Sequence, residues 1–163
     1  MIRFIIMVIF LVIYFIVSIP FQLAELIIGL FNMDLRHRSS LFLVNCGFKI
    51  AWLIAGVRLT VNGLENIPKD QAVLFVGNHR SMFDIILAYP LMKRPTGFIA
   101  KKEVKKVPGL SWWMYLVNCI FLDRSNPREG LKSILLASEY IKKGISIFLF
   151  PDVSEITFPA NTN

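Results

Sequence analysis

Residues 58–151 predict an α/β domain with a largely parallel central sheet, and residues 1–57 predict a membrane-associated helical segment ahead of it. Three observations carry this forecast. Short apolar runs alternate with helix-like stretches from residue 72 onward, the order expected when crossover helices connect parallel strands. Residues 4–19, "FIIMVIFLVIYFIVSI", carry no charge and, Ser18 apart, only apolar and aromatic side chains. The last twelve residues, 152–163, "DVSEITFPANTN", show neither pattern and form a separate tail.

At about 1.5 Å per residue, the first apolar run falls slightly short of a roughly 30 Å hydrocarbon core. A second apolar run, "LAELIIGLF", follows at once. The two together predict a membrane helix or a helical hairpin inserted in one leaflet. Arg3 flanks one end while Arg36 and Arg38 follow the other, which favours the hairpin, with its later basic residues at the cytoplasmic surface. A cleaved signal peptide is the rival reading. The apolar run is long for one, and no small-residue cleavage site follows it.

Composition points the same way. The chain is 55% hydrophobic with a mean hydropathy of +0.60, above the roughly 45–50% apolar content of soluble domains. A net charge of +7 and a pI near 9.7 ask for an anionic partner. With an apolar N-terminal end and no base-reading motif, anionic lipid headgroups fit better than nucleic acid. Cys46 and Cys119 sit in apolar runs without metal-ligand spacing, so free thiols and no metal or other cofactor are expected.

The elements follow in order. Residues 40–56, "SLFLVNCGFKIAWLIAG", read as a helix with Ser40 near its N-cap and Gly56 at its end. "VRLTVNG" alternates like a half-buried strand and stops at the Asn62-Gly63 turn. "AVLFVG" is the continuous apolar run of a strand buried on both faces. A helix from about Ser81 to Leu91 ends at "KRPTG", and "FIA" is the next strand. "GLSWWMYLVN" is helical and "CIFLD" strand-like. In "PREGLKSILLASEYIKKG", Leu131, Ile134, Leu135, Ser138 and Ile141 recur at helical spacing, Pro127 suits the first turn and Gly144 the C-cap. "ISIFLFP" closes the sheet.

One stretch holds chemistry. In "VGNHRSMFDI", residues 76–85, His79 and Asp84 stand five positions apart just past a predicted strand. On one continuous helix their side chains would point about 140° apart. They meet only if His79 lies in the preceding turn and Asp84 in the first helical turn. Ser81 followed three residues later by Asp84 is a capping-box pattern that supports this placement. Two readings stand at this point: a capped strand–turn–helix with His79 as a surface residue, or a histidine–aspartate pair at the carboxyl end of a strand, where open α/β sheets bind ligands.

The stretch "NHRSMFD" resembles the NHxSxxD block of the glycerolipid acyltransferases, the family typified by 1-acyl-sn-glycerol-3-phosphate acyltransferase. "VNGLENIP" resembles the segment before that block, and "FIAKKEVKKVPGLSWWMYLVNCIFLDRSNPREGLKSI" the blocks after it. The resemblance runs from about Leu59 to Pro151 in the right order and spacing. It implies a glycerolipid-acyltransferase α/β domain, of which this chain holds the N-terminal part. The implied reaction moves a fatty acyl group from acyl-CoA or acyl-carrier protein to the hydroxyl of lysophosphatidic acid or another lysolipid. His79 is then the general base and Asp84 the carboxylate that orients it. Arg124 matches the family arginine on the acceptor phosphate, and Lys101 a lysine near the site. Ser81 and Asp152 are lesser candidates. Without a G-x-S-x-G elbow, direct transfer with no acyl-enzyme is expected. Lys102, Lys105 and Lys106 form a basic face toward the membrane, the donor or solvent. The implied location is the cytoplasmic face of the cell membrane.

The resemblance breaks in the third block. The family pattern Phe-Pro-Glu-Gly-Thr-Arg is met here by "FPDVSEIT", with Val153 in place of glycine and Glu155 in place of arginine. At ~5 Å and an effective dielectric near 20, each such charge term is about 3 kcal/mol. The abruptness of the change predicts a shifted reading frame or truncation near Asp152. The alternative function is then an impaired relative that binds membrane or lipid only.

Overall fold

The computed structural model describes residues 2–78, 81, 83–123 and 126–150. Its centre is a parallel sheet of four short strands, β1 (Leu74–Val76), β2 (Thr96–Lys101), β3 (Ile120–Leu122) and β4 (Ser146–Leu149), in the order β1-β4-β2-β3. Every pairing is parallel, with Phe75 opposite Phe148, Phe98 opposite Phe148 and Ile99 opposite Ile120. The expected largely parallel sheet is therefore present. Such strands need crossovers, and the intervening helices supply them.

Helix follows strand as the sequence dictates. Between β1 and β2 lies α4 (Phe83–Ala88) with a 3₁₀ turn at Tyr89–Leu91. This divides the expected helix from Ser81 to Leu91, because Pro90 lacks the N–H that an α-helical turn needs. Between β2 and β3 lie a 3₁₀ turn at Lys102–Lys106 and α5 (Leu110–Leu116). Between β3 and β4 lies α6 (Pro127–Lys142), where Asn126 caps the first turn by accepting from the Arg128 N–H. β2 and β3 approach closely at Gly97, where any Cβ would run into the Asn118 carbonyl. Phe98, Phe148 and Phe150 stack across the sheet, and Phe98, Trp113, Leu116 and Tyr89 form the centre of the core.

Four expectations are corrected. The strand in "AVLFVG" is not buried on both faces: β1 lies at the edge of the sheet, and Leu74 and Val76 are exposed. "VRLTVNG" does not form a strand: residues 57–63 carry no regular structure, and Leu59 and Val61 stay exposed. Alternation makes a strand only when a neighbour takes up its hydrogen bonds, and none of the described strands lies beside it. The apolar face expected on α6 is turned outward along most of its length, with Ile141 packing toward the sheet. Leu131, Ile134 and Leu135 are exposed, while Ser133 and Ala137 are buried against the sheet. Small residues there let the helix axis approach β3 and β4. The helix expected to begin near Ser40 begins earlier, as α3 (Met33–Ala55), because Asn32 accepts from the Leu35 N–H at 2.9 Å. Gly56, at φ 69, ends it as expected.

Ahead of the domain run α1 (Ile2–Val17) and α2 (Ile19–Phe31), bent by 49° at Ser18. Pro20 explains the bend, since its ring removes one hydrogen bond from the helical ladder. No single helix among the described residues is long and apolar enough to cross a membrane; the bent pair passes by length and composition. The chain turns back at Asn32, so α3 packs antiparallel along both. The Tyr14 hydroxyl donates to the Leu43 carbonyl, and Ser39 and Ser40 donate to Glu25 Oε2 at 2.8 and 3.1 Å. The arm joins the domain through polar contacts: Gln22 Nε2 donates to the Gly109 carbonyl at 3.0 Å, and Trp113 Nε1 to Ser18 Oγ at 2.7 Å.

Candidate active site

The carboxyl ends of β1 and β2 carry the predicted chemistry. After β1 the chain turns into α4 through a reciprocal cap. The Ser81 N–H donates to Asp84 Oδ2 at 2.9 Å, and the Phe83 N–H donates to Ser81 Oγ at 2.9 Å. The Asp84 N–H donates to the Ser81 carbonyl at 3.0 Å, closing the first turn. The expected capping box is thus formed. Asp84 is half-buried, and its carboxylate is anchored by the Ser81 N–H at one oxygen.

Lys101 ends β2 and is exposed. Its register partner is Leu122, the last residue of β3. One residue further on, Lys102 and Asp123 form an ion pair across the strand ends. Asp123 is thereby fixed by a lysine that the sequence alone assigned to a basic face. This Asp123 contact holds the Lys102 ammonium above its ordinary range, the hydrogen bond being the largest cause. The predicted site residues His79, Arg124 and Asp152 lie outside the described residues. Of the six, the structure places Ser81 and Asp84 together and Lys101 at the end of the next-but-one strand.

Sequence reasoning missed the cavity between these points. A space of about 330 Å³ opens between α1, α3, α4, β2 and α5. Phe15, Phe48, Ile86, Tyr89, Trp113 and Met114 line it, and Lys101 is the one charged residue on its wall among the described residues. Ile85, next to Asp84, also faces it. Its size falls in the range of about 300–1,000 Å³ common for ligand pockets, and its wall suits an alkyl chain. No local pattern could have announced it, because five separate elements contribute.

Cys119 lies on the same wall. Burial pushes its thiol up, against weaker opposing hydrogen bonds from Tyr89 and the Phe98 backbone, so the sulfur stays protonated at neutral pH. A protonated, packed thiol is a poor nucleophile. Burial likewise raises the Tyr89 phenol, whose hydroxyl donates to the Thr96 carbonyl at 3.2 Å. Among the described residues no cluster of three or more His, Cys, Asp and Glu side chains offers a metal site.

Comparison with known proteins bears on this arrangement. A protein-family model described as Acyltransferase matches residues 58–155. The 1-acyl-sn-glycerol-3-phosphate acyltransferase of Pseudomonas aeruginosa is 34% identical over 115 residues, which span 68% of this chain and 44% of that protein. The enzyme of the same name from Saccharomyces cerevisiae is 30% identical over 118 residues, 72% of this chain and 39% of that one. The crystal structure of the 1-acyl-sn-glycerophosphate acyltransferase PlsC from Thermotoga maritima superposes with a TM-score of 0.67 at 24% identity, covering 93% of this chain and 61% of that one. The fold is shared with that structure. The chain spans less than half the length of these curated relatives.

Proposed function

Because the chain belongs to the acyltransferase family, we propose that it moves a fatty acyl group from an acyl thioester to the hydroxyl of 1-acylglycerol 3-phosphate, giving phosphatidic acid. The observation that carries this reading is the Ser81–Asp84 cap, which fixes a carboxylate beside an apolar cavity at the strand ends. The donor is acyl-CoA or acyl-carrier protein, and its chain occupies the cavity. His79 takes the acceptor's hydroxyl proton, because an alcohol with a pKa far above neutrality attacks a thioester too slowly unaided. Asp84 holds the imidazole in the correct tautomer and stabilises the imidazolium. The alkoxide then attacks the thioester carbon, and the thiolate leaves with the proton. Arg124 and Lys101 balance the acceptor phosphate. The exposed apolar faces of α1 and α2 support work at the membrane, on its cytoplasmic face.

The departure at Val153 and Glu155 supports a second reading, a relative that binds lipid without turnover. Radiolabelled acyl transfer in membranes carrying this chain separates the two. Activity that falls about 10²–10⁴-fold in His79→Ala supports the general base. Unchanged activity in that variant rules the base out, and no product from the parent favours the second reading.

A further inference from the structure

At the amino ends of the strands, opposite the candidate active site, a hollow of about 420 Å³ lies between the start of α3, the segment before β2 and the end of α6. Arg38, Lys69, Lys93, Arg94 and Lys143 line it, brought from four separate segments of the chain. Asp34 is the one carboxylate on its wall among the described residues. Neither of the two ion pairs among the described residues, Lys102–Asp123 and Lys132–Glu129, involves these cations. Half-buried Arg94 is held in place by donating from Nη1 to the Lys69 carbonyl at 2.8 Å, which leaves the rest of its fork open. The amino end of the 23-residue α3 adds its positive dipole.

Five cations around one concave space repel one another, and Asp34 offsets only part of that. A dianionic group in the hollow converts repulsion into attraction, and phosphate matches both lysine ammonium groups and an arginine fork. We propose that this hollow binds a phosphate group, at a site distinct from acyl transfer. β2, six residues at about 3.3 Å each, separates Pro95 at the hollow from Lys101 at the other end. A single acceptor phosphate therefore does not serve both ends, and the assignment does not depend on the acyltransferase reading.

The surroundings name the two sources to compare. Leu30 and Phe31, 82% and 87% exposed, lie just ahead of the first two turns of α3, which carry Asp34 and Arg38. An arm that dips those residues into a bilayer sets the hollow at headgroup depth, where each basic residue adds to attraction for anionic lipid. A free phosphate in solution satisfies the same cations.

The test uses the full chain with vesicles of phosphatidylcholine alone or with added phosphatidylglycerol. In the triple variant Lys93→Gln, Arg94→Gln and Lys143→Gln, binding to anionic vesicles falls roughly 100-fold more than binding to neutral ones. A control triple, Arg58→Gln, Arg128→Gln and Lys132→Gln, removes the same charge from exposed positions elsewhere and loses far less. Thermal unfolding of both variants shows that each is folded, and the single Lys143→Gln variant substitutes if the triple is not. Titration of the detergent-solubilised protein with inorganic phosphate then separates the sources. Saturable binding that the hollow variant abolishes assigns a free phosphate; hollow-specific vesicle binding without it assigns a lipid headgroup. Equal losses in the two triples, with no saturable phosphate binding, overturn the proposal in favour of net charge alone.

Discussion

In the α/β domain Phe98, Trp113 and Ile147 are at most 2% exposed, whereas in the helical arm Phe31 is 87% exposed and the buried residues include Gln22 and Glu25. Both regions draw on the same apolar residue types. The domain packs its central ones inside and leaves others exposed, as on α6, while the arm turns most of its own outward between Ile2 and Phe31 and keeps Gln22 and Glu25 inside, against α3 and α5. Water would penalise that arrangement at every exposed leucine and isoleucine, at about 25 cal/mol per Å². A hydrocarbon surface would not. The contrast separates a region with a closed core from one that presents apolar surface, and no single helix among the described residues is long and apolar enough to cross a bilayer by itself.

The contrast can be broken most severely with one substitution made twice. Phe98→Ala should cost about 3–5 kcal/mol, because a buried ring leaves a cavity at the centre of the stacked sheet aromatics. Phe31→Ala in detergent should stay within about 0.5 kcal/mol of the parent, although the side chain is the same. Chemical unfolding of both variants measures the pair, and similar losses would erase the distinction between the regions.

A smaller effect probes the arm's polar interior. Glu25→Ala leaves the buried Ser40 hydroxyl and the half-buried Ser39 hydroxyl without this acceptor, and the loss should be about 1–3 kcal/mol. Destabilisation that vanishes on adding Ser40→Ala would confirm the pairing by a double-mutant cycle.

Much of the domain could be read from the sequence, and the reasons are physical. "AVLFV" and "ISIFLF" were legible as strands because both are unbroken apolar runs. The run alone did not show that β1 lies at the sheet edge with Leu74 and Val76 exposed, whereas β4 lies inside it. The Ser81–Asp84 cap was legible because a capping box is local: four residues determine it. The exposed stretch at 57–63 was misread because alternation cannot say whether a partner strand exists. The α6 face was misread because periodicity locates an apolar stripe without telling which surface meets the sheet. Asn32 went unnoticed as a cap inside an apolar context, and the cavity needed five elements that only folding assembles. In the arm, Glu25 organises the contact with α3, a role that the apolar run around it did not announce.

A cap offers a milder test. Ser81→Ala removes the acceptor for the Phe83 N–H and should cost about 1 kcal/mol. The smallest expected effect concerns pH at the arm's end. Burial, then Arg36, hold the His37 imidazole below its ordinary 6.5, with Asp34 opposing them. The folded state therefore favours the neutral ring. Its contribution is complete above pH 6.5 and is lost as pH falls through the lowered folded value. His37→Gln should flatten the pH dependence of the unfolding midpoint on the acid side, and an unchanged slope would remove His37 from the account.

The proposed catalysis rests on Asp84 doing more than capping a helix, and one substitution separates the two roles. Asp84→Asn keeps a side-chain oxygen to accept from the Ser81 N–H but loses the charge that steadies an imidazolium. Acyl transfer from a radiolabelled thioester to 1-acylglycerol 3-phosphate, with thermal unfolding measured on the same preparations, is the direct test. Activity about 10⁴-fold below the parent, with stability within about 1 kcal/mol, is the expected result. Activity within a few-fold of the parent would contradict it and leave Asp84 as a cap alone.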